Sequence, residues 1–473
     1  MRDPIDTVPA MELPPQAIEN LVEELREYHA IYSPLFQRRE QREGADKYLR
    51  GLVLEIPRKS IEPMVLALAG AHAKAVRTLQ LFISEGTWDD ETLLHRHWQE
   101  VDTLLGEDEG GLTLDGSDFL KQGQAAVGVK RQSCGEVGKR AHCQAGVSLG
   151  YASRQGYTLG DRRLSLPQEW VADARYAERR RRCGVPAALP CKTKPTLGWE
   201  MMQAVHQASP LRARWVTGDA AFGRDPSLLD HIDGLGLWYF AEVPHETQVW
   251  WQRPATAVPP WSGRGRQPTR TRRQAGAAEP EAVALLAASV PADRWVRRTI
   301  KEGSKGPLVA QFAALRVMAM REGLPGPEVW LVLRRNLVTG ELKAYLCNAP
   351  AATPLALLGR LSGMRWPIET CFEDGKHYVG MGDDEVRSWR GWHHPYDALY
   401  PGPFFSGTGV PAVKKKAPGL TSPQMQVLLV ALLPKRVFDT QAALALVAYW
   451  QQRNHAAYLS HRKRRLALCK QLE

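Results

Sequence analysis

Three acids, Asp115, Asp219 and Glu369, stand where carboxylate chemistry would need them. Asp115 follows the β-type run Leu112-Thr113-Leu114, Asp219 follows Trp215-Val216-Thr217-Gly218, and Glu369 falls near the start of a helix. Side chains at strand ends and at a helix start can converge on one edge of a sheet. Three carboxylates there offer hard oxygen ligands for two Mg²⁺ ions, which keep waters and bind phosphate oxygens. Two such ions about 3.5–4 Å apart can activate the attacking oxygen and stabilise the leaving one in an in-line phosphoryl transfer. Each acid also has a structural reading: Asp115 or Asp118 as a turn residue, Asp219 as a helix cap, Glu369 as a solvated surface acid.

The helix around Glu369 adds cations at helical spacing. Arg365 precedes Glu369 by four residues, and Lys376 follows it by seven, two turns along the same face. A ligand acid flanked by cations suits a helix that holds metal and grips phosphates on either side. An ordinary surface helix with ion pairs four residues apart has the same spacing.

The elements that must position these residues follow from the hydrophobic pattern. From about Ala17 to Leu105 the apolar residues recur at spacings of three and four, as in helices, with Pro57 and Pro63 as punctuation. Strands are expected at Leu112–Leu114, running into a turn at Asp115–Asp118, then at Val127–Val129, Cys143–Leu149, Trp215–Gly218 and Leu237–Val243. Residues 168–182 read as a helix or exposed loop, and Trp199–His206 as a helix. Residues 245–300 are rich in Trp, Arg, Pro and Ala with little regular period. Strand signal returns at Pro307–Val317, Glu328–Arg334 and Leu342–Cys347, and helices follow at Pro354–Arg360 and from Pro367.

Composition bounds the partners. The chain has 473 residues, 62 Lys and Arg against 51 Asp and Glu, and a net charge of +11. The positive balance favours a polyanion, because Lys and Arg that neutralise phosphates release counterions. Arg264, Arg266, Arg270, Arg272 and Arg273 crowd one stretch, and Arg462, Lys463, Arg464 and Arg465 another. No apolar run approaches the roughly 18 residues that would span a bilayer. The N-terminus lacks the apolar region of a signal peptide, and seven cysteines form no disulfide framework. A reduced, cytoplasmic protein is the expectation, with no membrane partner.

Several blocks carry a family resemblance. Arg365-Trp366-Pro367-Ile368-Glu369 followed by Lys376 resembles the last catalytic block of insertion-sequence transposases with a Tyr-Arg-Glu-Lys signature, although Ser362 stands at the tyrosine position. Leu114-Asp115-Gly116-Ser117-Asp118-Phe119, Val127–Gln132 with Cys134-Gly135, Val216–Asp219, Glu385–Trp392 and Arg453–Tyr458 resemble blocks of the insertion-sequence 701 family of DDE superfamily endonucleases. The resemblance covers most of the chain. It implies an α/β fold: an RNase H-like mixed sheet core, an inserted β-rich module, and helical N- and C-terminal regions. It also implies Asp115, Asp219 and Glu369 as catalytic ligands of two Mg²⁺ ions (Mn²⁺ being able to substitute), with Asp118 as the runner-up for the first. Arg365 and Lys376 would contact phosphates, and Arg264, Arg266, Arg462 and Arg464 would bind DNA. Trp250, Trp251 and Trp261 are candidates for stacking a flipped base, each with core packing as the plainer role. The expected activity is metal-dependent cleavage at the ends of a mobile element and strand transfer into target DNA. The partners are then double-stranded DNA, as terminal inverted repeats and target, and a second copy of the chain when DNA is bound.

This reading divides the chain into a helical region at 1–105 that could bind DNA, a first core part at 106–244, a basic insertion at 245–305 and a second core part at 306–394. An anomalous block at 395–413 and a basic helical region at 414–473 complete it. The anomalous block crowds prolines and glycines, which cannot continue a helix, whereas similar proteins have an apolar helix here. Its codons can be chosen so that the next reading frame restores such a helix, and Lys414-Lys415-Lys416 could derive from an adenine tract where the frame returns. We hypothesise two compensating frameshifts or sequencing errors, which would leave a DNA-binding remnant without catalysis as the rival reading. Resequencing tests this: an in-frame read with no lesion relative to close copies removes it. A host nuclease of the same fold is a third reading, favoured if flanking inverted repeats are absent.

Other motifs carry less. His142-Cys143 and the Cys183/Cys191 pair lack zinc spacing. Gly263-Arg264-Gly265-Arg266 lacks the ending of a phosphate loop. Gly146-Val147-Ser148-Leu149-Gly150 matches a nucleophile elbow only in letters, because its serine lies inside a strand-like run. His455 and His461 read as DNA- or solvent-facing.

Overall fold

The computed structural model describes residues 21–208, 211–261, 263–303, 306–397, 422–433 and 438–472. Five helices open the described chain: α1 (Leu21–Tyr32), α2 (Arg39–Val53), α3 (Ile61–Ala69), α4 (Ala73–Glu85) and α5 (Asp90–Leu105). Asp89 starts α5 by accepting hydrogen bonds from the Glu91 and Thr92 amides, and Asp90 and Glu91 place negative charge where the helix dipole favours it. The apolar face of α5 lays Trp98, Val101 and Leu105 into a core shared with the sheet. His97 Nε2 and Trp98 Nε1 then donate to the carbonyls of Leu159 and Gly160, both at 2.8 Å.

The strands are β1 (Gly111–Leu120), β2 (Lys130–Cys134), β3 (Lys139–Ala152), β4 (Tyr157–Ser165), β5 (Trp215–Gly218) and β6 (Trp238–Val243). After these come β7 (Gln248–Trp250), β8 (Thr256–Ala257), β9 (Arg272–Arg273), β10 (Glu281–Ala282), β11 (Val296–Gly303), β12 (Gly306–Arg321), β13 (Leu324–Asn336) and β14 (Leu342–Cys347). Antiparallel β4, β3 and β1 lead into β5 and β6, which run parallel to β1. That order is compatible with an RNase H-like core. β14 pairs antiparallel with β6, and β13, β12, β7 and β10 continue outward in the same sheet, with β11 beside β12. β14 therefore pairs the β6 edge, whose amides and carbonyls would otherwise stand open, and β7, β10 and β11 extend the same sheet beyond β12. Among the described residues only β8 and β9 form a separate ribbon.

The helices that follow are α6 (Gln168–Ala172), α7 (Ala177–Cys183), α8 (Lys194–Ala208), α9 (Ala220–Gly223), α10 (Pro226–Gly234) and α11 (Val283–Ser289). Then come α12 (Leu355–Leu361), α13 (Trp366–Tyr378), α14 (Trp389–Asp397), α15 (Ser422–Leu432) and α16 (Thr440–Leu472). α8 covers one face of the sheet so closely that a Cβ on Gly198 would meet Leu114 at 2.9 Å. On the opposite face, Ile368, Cys371 and Phe372 of α13 share a core with Phe119, with Leu49 and Leu52 of α2, and with Met425 and Leu429 of α15. Lys59, buried between α2 and α3, donates to the carbonyls of Leu52 and Tyr378 at the end of α13; burial lowers its pKa to about 8. The N-terminal helices thus brace the helix that carries Glu369.

Several elements differ from the sequence reading. β1 does not end at Leu114 but runs to Leu120, because β3 pairs with it as far as Leu120 opposite Cys143. Val127–Val129 is no strand: Gly128 adopts φ +70°, a left-handed conformation that interrupts an extended chain. Residues 245–300 are not irregular, since they hold β7–β10, α11 and most of β11. α14 continues through Pro395 to Asp397. Residues 398–413, the rest of the anomalous block, lie outside the described residues. Among the described residues no helix is long and apolar enough to cross a membrane.

Candidate active site

The site grows from strand register. In β1 and β5, Leu114 lies beside Gly218, and in β5 and β6, Gly218 lies beside Ala241. The next residue on each chain is Asp115, Asp219 or Glu242, so three acids stand side by side at one level of three parallel neighbours. Asp219 also caps α9, its Oδ1 accepting from the Ala221 amide at 2.8 Å. The structural reading of Asp219 and the chemical one are therefore compatible. Gly223 lets α9 sit directly on β6, where a Cβ would come within 1.9 Å of the Glu242 carbonyl oxygen.

Glu369 reaches the row from α13. Pro367 lies in the first turn of that helix, where a missing amide costs nothing. Arg365 joins the two sides: its Nη1 lies 3.3 Å from Asp115 Oδ2 and its Nη2 2.7 Å from Glu369 Oε1. Asp115 Oδ1 accepts from the Gly116 amide at 2.7 Å. Burial pushes the Asp115 carboxyl up to about 6; Arg365 opposes the rise, and the Asp219 and Glu369 charges add to it. A cation placed among these carboxylates would relieve both burial and mutual repulsion.

The donor set fits a hard divalent cation, being all carboxylate oxygen. As placed, no three His, Cys, Asp or Glu side chains among the described residues form a ready metal cage. The Arg365 guanidinium, bridging Asp115 and Glu369, is the positive charge that these acids share.

Beside the row lies a cleft of about 190 Å³, lined by Glu242, Arg334, Lys343, Ser362, Arg365 and Glu369 among others. Asp118, the alternative first acid, is not part of it. Alternation along β1 turns Asp118 to the face opposite Asp115, and its Oδ2 accepts from the Gly135 amide at 2.7 Å. Lys376 sits two turns beyond Glu369 and is already engaged, with Asp118 O at 3.2 Å and Glu136 at 3.3 Å. Ser362, at the tyrosine position of the signature, lines the cleft while its hydroxyl donates to Gly359 O at 2.7 Å.

The other expected DNA contacts lie elsewhere. Arg264 and Arg266 are exposed on the connection between β8 and β9, and Arg462 and Arg464 are exposed on α16; none of the four lines the cleft. Trp250 is buried, and its Nε1 donates to Ala278 O at 3.0 Å, so it packs rather than stacks on a base. Trp251 and Trp261 are exposed. Sequence reading missed Glu242, Arg334, Lys343 and Tyr345. One signal was available for Glu242: it is an acid inside the otherwise apolar run Leu237–Val243.

Residues 32–307 match the family model described as DDE superfamily endonuclease. The match takes in Asp115, Asp219 and Glu242 and stops before Glu369. No curated protein matches the chain. Enzymes of this superfamily act on DNA and in general use divalent metals, consistent with a row of acids at parallel strand ends beside a cationic cleft. More than half of the chain is matched, and it belongs to the DDE superfamily endonucleases.

Proposed function

We propose that this endonuclease is the transposase of a bacterial insertion sequence. In this reading it cleaves DNA at the element's terminal repeats and joins the freed 3′-hydroxyl to target DNA. The observation that carries the reading is the junction of Asp115, Asp219 and Glu369 at one sheet edge, with Arg365 spanning two of them. Asp115, Asp219 and Glu369 would hold two Mg²⁺, or Mn²⁺ in substitution. These ions would supply activation of water, then of the 3′-hydroxyl, and charge neutralisation at phosphorus. When the carboxylates are so engaged, Arg365 is released to a DNA phosphate, and the preorganised cleft holds the strand in line.

The core would comprise residues 106–244 and 306–394, with 245–305 as the basic insertion. Arg264 and Arg266 there, and Arg462 and Arg464 on α16, would follow the duplex backbone away from the chemistry. Region 1–105 would brace α13 as well as meet DNA, and 414–473 would be a basic helical region that offers the cations of α16 to DNA. Pairing two element ends calls for a homodimer on DNA, in a nucleoid-associated, cytoplasmic setting.

The experiment is Mg²⁺-dependent cleavage of a plasmid carrying the element with its flanks, by this protein and its Asp219→Ala variant. Cleavage at the element boundary that the variant loses supports the reading. Cleavage unaffected by the variant overturns it. Folded protein that binds the ends and leaves them uncut identifies an inactive, DNA-binding copy.

A further inference from the structure

We infer that Lys343 and Arg334 form a phosphate-holding wall of the cleft and that Glu242 positions Lys343. This rests on the DNA-cleaving reading above.

The wall comes from pairing between β13, β14 and β6. Arg334 lies directly opposite Lys343, and Tyr345 directly opposite Glu242. Residues opposite each other share a face, and so do residues two apart on one strand. Arg334, Lys343, Tyr345 and Glu242 therefore point to one side of the sheet, where all four line the cleft with Arg365 and Glu369.

For stability alone this is a poor arrangement, because like charges directly opposite on neighbouring strands are destabilising. Two contacts manage the repulsion. Lys343 Nζ lies 3.2 Å from Glu242 Oε1 and 3.3 Å from Oε2, and Arg334 Nη1 donates to the Ser362 carbonyl at 3.3 Å. Both contacts are long, and both leave donor capacity: an ammonium has three N–H groups and a guanidinium five. Arg365 differs, being committed to Asp115 and Glu369. Lys343 and Arg334 are thus the cleft cations with donors to spare, a few side chains from the acid row. An anion between them would remove the repulsion, and a backbone phosphate neighbouring the reacting one has the required charge and acceptors.

Glu242 acts through Lys343. It stands level with Asp219 on the neighbouring strand, and its two oxygens hold the ammonium against the cleft wall. Neutralising Glu242 would leave the lysine charge in place but loosen its position.

The test measures binding of a 30-base-pair DNA duplex, in Ca²⁺ to suspend cleavage, over a KCl series, and cleavage rates in Mg²⁺. Lys343→Met is expected to weaken binding and to reduce the slope of log affinity against log salt by about 0.9, the loss of one phosphate contact. Lys343→Arg should keep the slope. Glu242→Gln should keep the slope while cleavage slows by about tenfold to a hundredfold, as for a misplaced positioning group. A merely structural ion pair would instead lower the melting temperature of Lys343→Met and leave the slope unchanged, which overturns the inference. If Lys343→Met does not fold, Arg334→Gln is read on the same slope with the same criteria. Wild-type protein that neither binds nor cuts DNA defeats the underlying reading as well. Wild-type protein that does both, with unchanged slopes in the variants, defeats this inference alone.

Discussion

Glu369→Gln is expected to slow Mg²⁺-dependent DNA cleavage by at least about a hundredfold to a thousandfold, the range seen when one preorganised charge-stabilising group is removed. The fold should survive. The Glu369 side chain is 41% exposed and its described contact is the ion pair with Arg365 at 2.7 Å. Exposed pairs of this kind contribute about 0–1 kcal/mol. Ile368, Cys371 and Phe372, which anchor α13 in the core, are untouched. Cleavage rate and melting temperature should therefore separate, the first collapsing while the second shifts by a degree or two. A variant that cuts at the wild-type rate would remove Glu369 from the reacting centre.

Asp115→Asn should do two opposite things: abolish cleavage and stabilise the metal-free protein. Burial, together with the Asp219 and Glu369 charges, outweighs Arg365 and raises the Asp115 carboxyl from 3.8 to about 6. The folded state therefore keeps its proton to a higher pH than the unfolded chain does. Stability is lost as pH rises from about 4 to about 6, and above that window the penalty is complete. Two pH units correspond to at most about 3 kcal/mol, and the asparagine carries none of it. The variant should melt several degrees above wild type at pH 7.5 without metal, and the gap should close as pH falls toward 4. Mg²⁺ should raise the wild-type melting temperature by binding the native state and move the variant less. A variant that melts below wild type at pH 7.5 would mean that the Arg365 pair outweighs the cost of burial.

What the sequence determined alone is local. The apolar spacing of three and four shows the N-terminal helices and α13, the β-type runs show β5, β6 and β12–β14, and Pro367 marks the start of the Glu369 helix. Short strands ending in Asp, and an Arg four residues before a Glu, suffice to nominate Asp115, Asp219, Glu369 and Arg365. These features rest on periodicity and on contacts within a few residues, which one stretch of chain contains.

Face and register come from long-range pairing instead. Asp115 and Asp118 look equivalent in sequence, and they separate only because β3 extends β1 to Leu120, which turns Asp118 to the far face. Glu242 and Lys343 are 101 residues apart, and Lys376 meets Glu136 across 240; no local pattern pairs them. The helical N-terminal region reads in sequence as one that could bind DNA, and in the fold its apolar residues fill the core beneath α13, with Lys59 closing the end of that helix. A one-residue change of register turns every side chain of a strand to the other face. Which charges meet is therefore set by pairings between distant segments, and those form only when the sheet does.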